Sequence, residues 1–155
     1  MEKETSTIVK NRLQRRQITA QDIMSEIVVT IRENTLVKDA AHLMLRDRIQ
    51  GIPVVNSHKK IVGMVTITDM FKVIQNVFRD QDFTLYAKMM HGTDFTVREI
   101  MSTNVLTISP STTLDEIVQT ALDQRVRAFP VMKSDHLIGI VGTHDILNAV
   151  FNYYY

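Results

Sequence analysis

The chain has 155 residues, 45% of them apolar, enough for one domain or two closely packed half-domains that bury about two-thirds of their unfolded surface. With 18 Lys and Arg against 17 Asp and Glu, the net charge of +1 makes no global case for a nucleic-acid or membrane partner. The absence of cysteine excludes disulfides and thiolate metal sites, and the lack of any apolar run of about 18 residues excludes a spanning helix, so the expectation is a chain in the reducing cytoplasm.

Residues 1–18 form a polar arm, "MEKETSTIVKNRLQRRQI", without the apolar centre of a secretion signal. Its basic cluster Lys10, Arg12, Arg15 and Arg16 has no interleaved aromatics and matches no DNA-binding motif, so it reads as a solvated arm and no nucleic-acid partner is expected. Thr19 suits the N-cap of one short helical turn through Met24, followed by a β-branched strand, "IVVTI". Val37, Ala40, Ala41, Met44 and Leu45 fall at helical spacing and predict an amphipathic helix. A short strand, a polar turn and a second apolar strand, "PVVNSHKKIVGMV", then predict a hairpin, and a helix opens near Asp69. Residues 75–95 read as a helical extension that frays around His91 and Gly92.

From Thr96 the same order repeats. "TAQDIMSEIVVTI" at 19–31 lies over "TVREIMSTNVLTI" at 96–108, and "GIPVV" at 51–55 over "AFPVM" at 128–132. After a one-residue deletion in the polar hairpin turn, "IVGMVTITD" at 61–69 lies over "LIGIVGTHD" at 137–145. The second helix of this copy carries Leu114, Ile117, Val118, Ala121 and Leu122 on the spacing of the first. The organisation is therefore an arm (1–18), a repeat (19–74), a connector (75–95), a second repeat (96–150) and an aromatic tail (151–155), the last suited to a subunit interface. A half of about 55 residues buries too little to stand alone. The two β-α-β-β-α copies should then pack sheet to sheet as an α/β pair, leaving two pseudo-symmetric clefts where strand ends meet the openings of the last helices.

"DIMS…VVTI…IQGIPVV…KIVGMVTITD" followed by "EIMSTNVLTI…RVRAFPVM…LIGIVGTHD" resembles the tandem CBS-domain pair, or Bateman module, across residues 19–150. The resemblance implies a regulatory module whose clefts bind adenosine-containing ligands such as AMP, ADP, ATP, NAD or S-adenosylmethionine. It further implies that the Ser/Thr-x-x-Asp at the end of the last strand holds the ribose, and that basic side chains reach the phosphates. On this sequence the ribose motif falls on Thr66, Thr68 and Asp69 and on Thr143, His144 and Asp145. The base would lie against the start of the first strand, Thr30 and Ile31 or Thr107 and Ile108, and against the proline segments Gly51, Ile52, Pro53 and Val54 or Ala128, Phe129, Pro130 and Val131.

The chemistry of these residues fits such a ligand without requiring it. An ionised Asp accepts from both hydroxyls of a ribose diol in charge-assisted hydrogen bonds and repels phosphate, so phosphates should point toward cations elsewhere. Thr-x-x-Asp before an apolar helical run is equally the pattern of a helix capping box, and the two roles are compatible. The second copy has Gly142 where the first has Thr66, keeping an acceptable N-cap but losing a hydroxyl worth at most about tenfold in affinity. For the phosphates Arg127 is the leading candidate, because a guanidinium binds phosphate bidentately, whereas Arg48 and Arg125 read as surface residues at helix ends. Core packing is the competing role for the apolar wall residues, and Pro53 and Pro130 should mark strand edges or starts.

His42, His58, His91, His136 and His144 show no metal-binding spacing, and no nucleophile elbow, P-loop or GxGxxG occurs, so neither a metal nor an obligatory cofactor nor catalysis is expected. The functional expectation is a homodimeric sensor that binds an adenine nucleotide or S-adenosylmethionine and signals to an effector protein in trans. The alternative is a structural dimerisation module without a physiological ligand.

Overall fold

The computed structural model describes residues 3, 5–7 and 17–151. The basic cluster Lys10–Arg16 and the tail 152–155 lie outside the described residues. A capping box opens α1 (Ala20–Ile23): the Thr19 N–H and hydroxyl both donate to the Asp22 carboxylate, at 2.9 and 3.1 Å. The 3-10 turn that opens the second repeat is capped in the same way by Thr96 and Glu99, and two further α-helix starts use the device, worth about 1 kcal/mol each. They precede α3 (Ile67–Asp80), capped by Thr66 and Asp69, and α5 (Leu114–Gln124), capped by Thr113 and Glu116.

The first repeat continues from α1 to α2 (Val37–Asp47), β1 (Gly51–Val55), β2 (Ile61–Thr66) and α3. The second runs from a 3-10 turn at Val97–Glu99 to α5, β3 (Ala128–Lys133), β4 (His136–Gly142) and α6 (Thr143–Phe151). Both α2 and α5 end on a residue in the left-handed region, Arg48 (φ 54°) and Arg125 (φ 55°), so the repeat extends to the caps. The connector is interrupted. Gln81 (φ 49°) stops α3, and a separate α4 (Phe83–His91) starts at Asp82, whose carboxylate accepts from the Leu85 N–H at 2.8 Å.

The expected first strands "IVVTI" and "VLTI" are reduced to single bridges. Only Ile31 pairs with Val54, in parallel, and only Ile108 pairs with Val131. The residues upstream of each cross over instead: Ser25 pairs with Ile140 through two backbone hydrogen bonds (2.9 and 3.0 Å), and Ser102 with Met64 through two of 2.9 Å. The "MS" segment of each copy thus adds to the last strand of the other copy. This reciprocal exchange also explains the glycine of each last strand. A Cβ at Gly63 would lie 2.6 Å from Met101 Sδ, and one at Gly139 would lie 2.5 Å from Met24 Sδ.

Pro53 and Pro130 do not sit at edges. Each is the third residue of a strand flanked on both sides, opposite Met64 or Ile140. The N–H and C=O of Met64 and Ile140 are spent on Ser102 and Ser25, so the proline positions need no donor toward that partner. On the other flank the proline only accepts, from Ile31 N–H (3.1 Å) or Ile108 N–H (3.0 Å).

The cores are shared across the repeats in the same way. One packs Ile31, Ala40, Met44, Ile52, Val54 and Val65 with Val97, Ile100 and Met101 of the second repeat. A second packs Ile117, Phe129, Val131 and Val141 with Ala20, Ile23 and Met24 of the first, and a smaller cluster joins Val37 and Val73 to Phe95. The two hairpins meet where Gly51 abuts Ala128, a Cβ at 51 lying 3.1 Å from the alanine methyl. The predicted apolar helix stripes are only partly buried: Val37, Ala40, Met44 and Ile117 are inside, but the equivalent Leu45 and Leu122 are exposed. Among the described residues no helix is long and apolar enough to cross a membrane.

Candidate ligand clefts

The strand ends that carry the repeated Asp open into two hollows, one per Asp. The hollow at Asp69 encloses about 560 Å³ and that at Asp145 about 430 Å³. Each is built from both repeats, a direct result of the exchanged segments. Thr66, Thr68, Asp69 and Lys72 face Ser102, Asn104, Leu106 and the Arg125–Ala128 stretch in the first cleft. Thr143, His144 and Asp145 face Ser25, Ile27, Val29 and the Asp47–Gly51 stretch in the second.

Asp69 lies in the first turn of α3. Its Oδ2 accepts from the Thr66 N–H at 2.8 Å and the Thr66 hydroxyl at 2.9 Å, while its own N–H donates to Thr66 Oγ1 at 3.3 Å. The capping role is therefore real, and Oδ1 takes part in none of these bonds. In the second copy the Gly142 N–H donates to Asp145 Oδ2 at 2.7 Å, the same loop closed without a hydroxyl. Both carboxylates are half-buried at the cleft rims. A carboxylate whose one oxygen is fixed by the helix start, at the rim of a cleft, can accept from a hydroxylated ligand with little further loss of rotamer entropy.

Cations line both clefts. Lys72, Arg125 and Arg127 line the first cleft and Arg48 and Arg127 the second. Asp47, also in the second cleft, is neutralised by Arg46, whose Nε and Nη2 bind it at 2.8 and 2.9 Å and hold its carboxyl below the usual range.

Of the residues singled out from sequence, Thr66, Thr68, Asp69 and Pro130 line the first cleft, Gly51, Thr143, His144 and Asp145 the second, and Arg127 and Ala128 both. Thr30, Ile31, Ile52, Pro53, Val54, Thr107, Ile108, Phe129 and Val131 line neither. Ile52, Val54, Phe129 and Val131 are 0% exposed, because both faces of their strands are covered and their side chains complete the two cores. The walls expected from them come instead from residues nearer the Met-Ser pairs, Ile27 and Val29 in one copy and Val105 and Leu106 in the other. Gln50, Lys72 and the Ser25 and Ser102 segments were not singled out. The recurrence of Met-Ser at 24–25 and 101–102 was their one signal.

The CBS-domain family model matches residues 20–76 and 97–152, most of the chain. Among curated relatives, homoserine O-acetyltransferase of Methanosalsum zhilinae is 28% identical over 137 residues; the match takes in 88% of this chain but 25% of that enzyme. The chain spans about a quarter of the length of the homoserine O-acetyltransferases it matches. Two solved structures share the fold. CBSX2 in complex with AMP aligns with a TM-score of 0.70 at 23% identity, covering 89% of this chain and 99% of that one. The CBS domain pair of protein MJ0100, in complex with 5′-methylthioadenosine and S-adenosyl-L-methionine, aligns with a TM-score of 0.70 at 24% identity, covering 90% and 100%. Two copies in register, the exchanged Met-Ser segments and the twin carboxylate-rimmed clefts thus have a family, and the chain belongs to it as a tandem pair of CBS domains.

Proposed function

We propose that the chain is a regulatory module that binds an adenosine-containing ligand, such as AMP, ADP, ATP, NAD or S-adenosylmethionine, in the clefts between its repeats. The observation that carries this reading is the arrangement of each cleft: a half-buried, helix-anchored carboxylate at the rim, with guanidinium groups lining the same hollow. That polarity matches a nucleotide, with a ribose diol at Asp69 or Asp145 and phosphates toward Arg127. The AMP in CBSX2 and the S-adenosyl-L-methionine and 5′-methylthioadenosine in the MJ0100 pair support the ligand class. Binding across two repeats biases their relative orientation, and a partner in trans reads that bias.

The reading includes a homodimer. Equivalent faces of the two repeats leave apolar side chains exposed, Phe71 and Ile74 with Phe78 on α3 and Leu147 and Val150 with Phe151 on α6. The same faces favour the second reading, a dimerisation scaffold with vacant clefts. A melting panel with AMP, ADP, ATP, NAD and S-adenosylmethionine separates the two. A ligand at 100 times its Kd adds about 2.7 kcal/mol to a sensor and nothing to a scaffold. Asp69→Ala should remove the shift that arises in the first cleft, and a panel without any shift would leave only the scaffold.

A further inference from the structure

The geometry points to a regulatory property of the two clefts that rests on the nucleotide reading above: they share one cation, Arg127, so that a phosphate-bearing ligand in one cleft weakens the binding of a second in the other. Arg127 lines both hollows, and so does Gln50, the residue that takes its place in the first repeat. Each directly precedes a strand, Gln50 before Gly51 and Arg127 before Ala128, and those strand starts abut at the junction of the repeats. Their backbones are tied to the helix starts of the two clefts: the Gln50 carbonyl accepts from the Ile67 N–H at 3.0 Å, and the Arg127 carbonyl from the Thr143 hydroxyl at 3.5 Å.

The junction therefore presents one exposed guanidinium and one neutral amide to two phosphate positions. A guanidinium grips a phosphate through a planar fork but carries a single positive charge, so a second phosphate on its remaining N–H groups meets a cation already neutralised and an anion beside it, and the amide carries no charge to compensate. The first cleft holds Lys72 and Arg125 besides, and the second Arg48 beside Asp47, with the imidazole of His144. The ligand at Asp69 takes Arg127 first, and the second anion meets a cleft stripped of its better cation. A ligand without phosphate makes no claim on Arg127 and feels no coupling.

Calorimetric titration of the full chain with AMP and with adenosine tests this. Asp69→Ala isolates the Asp145 cleft, and its AMP affinity is compared with the second binding step of the wild type. Losing a charge-assisted contact predicts that the isolated cleft binds AMP roughly tenfold more tightly than the wild-type second step. With adenosine the two values agree. Gln50→Arg, which gives each cleft its own guanidinium, brings the two AMP values together. Linkage demands the same factor in reverse, so Asp145→Asn, read at the Asp69 cleft, checks the result should Asp69→Ala fold poorly. Equal AMP affinities for the isolated cleft and the wild-type second step overturn the coupling while leaving nucleotide binding intact. So does an Asp145 cleft that binds no AMP in Asp69→Ala while Asp145→Asn binds one. Absence of binding by the wild type to either compound overturns the nucleotide reading itself.

Discussion

Gly139→Ala probes the exchange of segments between the repeats. The new methyl would lie 2.5 Å from Met24 Sδ, 2.9 Å from Met24 Cγ and 3.1 Å from the Ser25 carbonyl oxygen. The Met24 side chain packs against the second core, and the Ser25 carbonyl is backbone, so turning the thioether aside does not clear the whole clash. Relief requires the Met24–Ser25 segment to back away from β4, stretching the paired Ser25–Ile140 hydrogen bonds. Overpacking of this kind costs about 1–3 kcal/mol, and in a chain of this size each kcal/mol lowers Tm by about 2–4 °C. A loss near 2 kcal/mol thus corresponds to a fall of roughly 4–8 °C. Gly142→Ala, three residues on, is the control: its methyl would meet only Asp145 Oδ2, at an ordinary 3.6 Å, so its cost is limited to the poorer N-cap, about 1 kcal/mol or less. Urea and thermal unfolding of both variants give the comparison, and Met24→Ala combined with Gly139→Ala should recover part of the loss. Equal stability of the two glycine variants would refute the claim that the exchanged segment is clamped against β4.

Thr66→Ala deletes two of the three hydrogen bonds of its capping box and should cost about 1 kcal/mol in a melt, without changing the helical circular dichroism. Gln81→Gly relieves a left-handed side chain at the end of α3 and should raise stability by about 1 kcal/mol, read by the urea midpoint. The Glu116 carboxyl is held below its ordinary range by the backbone N–H and then the hydroxyl of Thr113. Its contribution to stability is therefore complete above the unfolded value, about 4.3, and lost as pH falls through the lower folded value, so Glu116→Gln should flatten the stability profile on that acidic limb.

Periodicity and repetition made most of the fold legible. Both hairpins, both long helices and the two capped helices after the second and fourth strands follow from patterns that local chemistry enforces. What could not be read was partnership. Ser25 and Ser102 look like turn residues beside a local strand, and nothing within ten residues of either says that its ladder lies in the other copy. The same blindness misplaced the prolines, whose tolerance depends on a bond made by the residue across from them to a third segment. In the clefts, the rim residues Asp69 and Asp145 were legible because the motif is short and local. For Ile52, Val54, Phe129 and Val131 the resemblance points to cleft walls and their apolar character equally to core packing, and it is in the cores that their side chains sit, 0% exposed. Arg127 stood out for its chemistry, but its position on both clefts depends on how closely Gly51 and Ala128 approach, which is a property of two chain segments jointly.

The crossed Met-Ser segments act as straps, each rooted in one half and fastened to the other. A tilt of either half would pull on a strand of its neighbour, so the pairings limit how the two halves can move past one another. Each strap is joined to the far half by its pair of backbone hydrogen bonds, Ser25 to Ile140 and Ser102 to Met64, so the two halves are linked twice over by directional contacts.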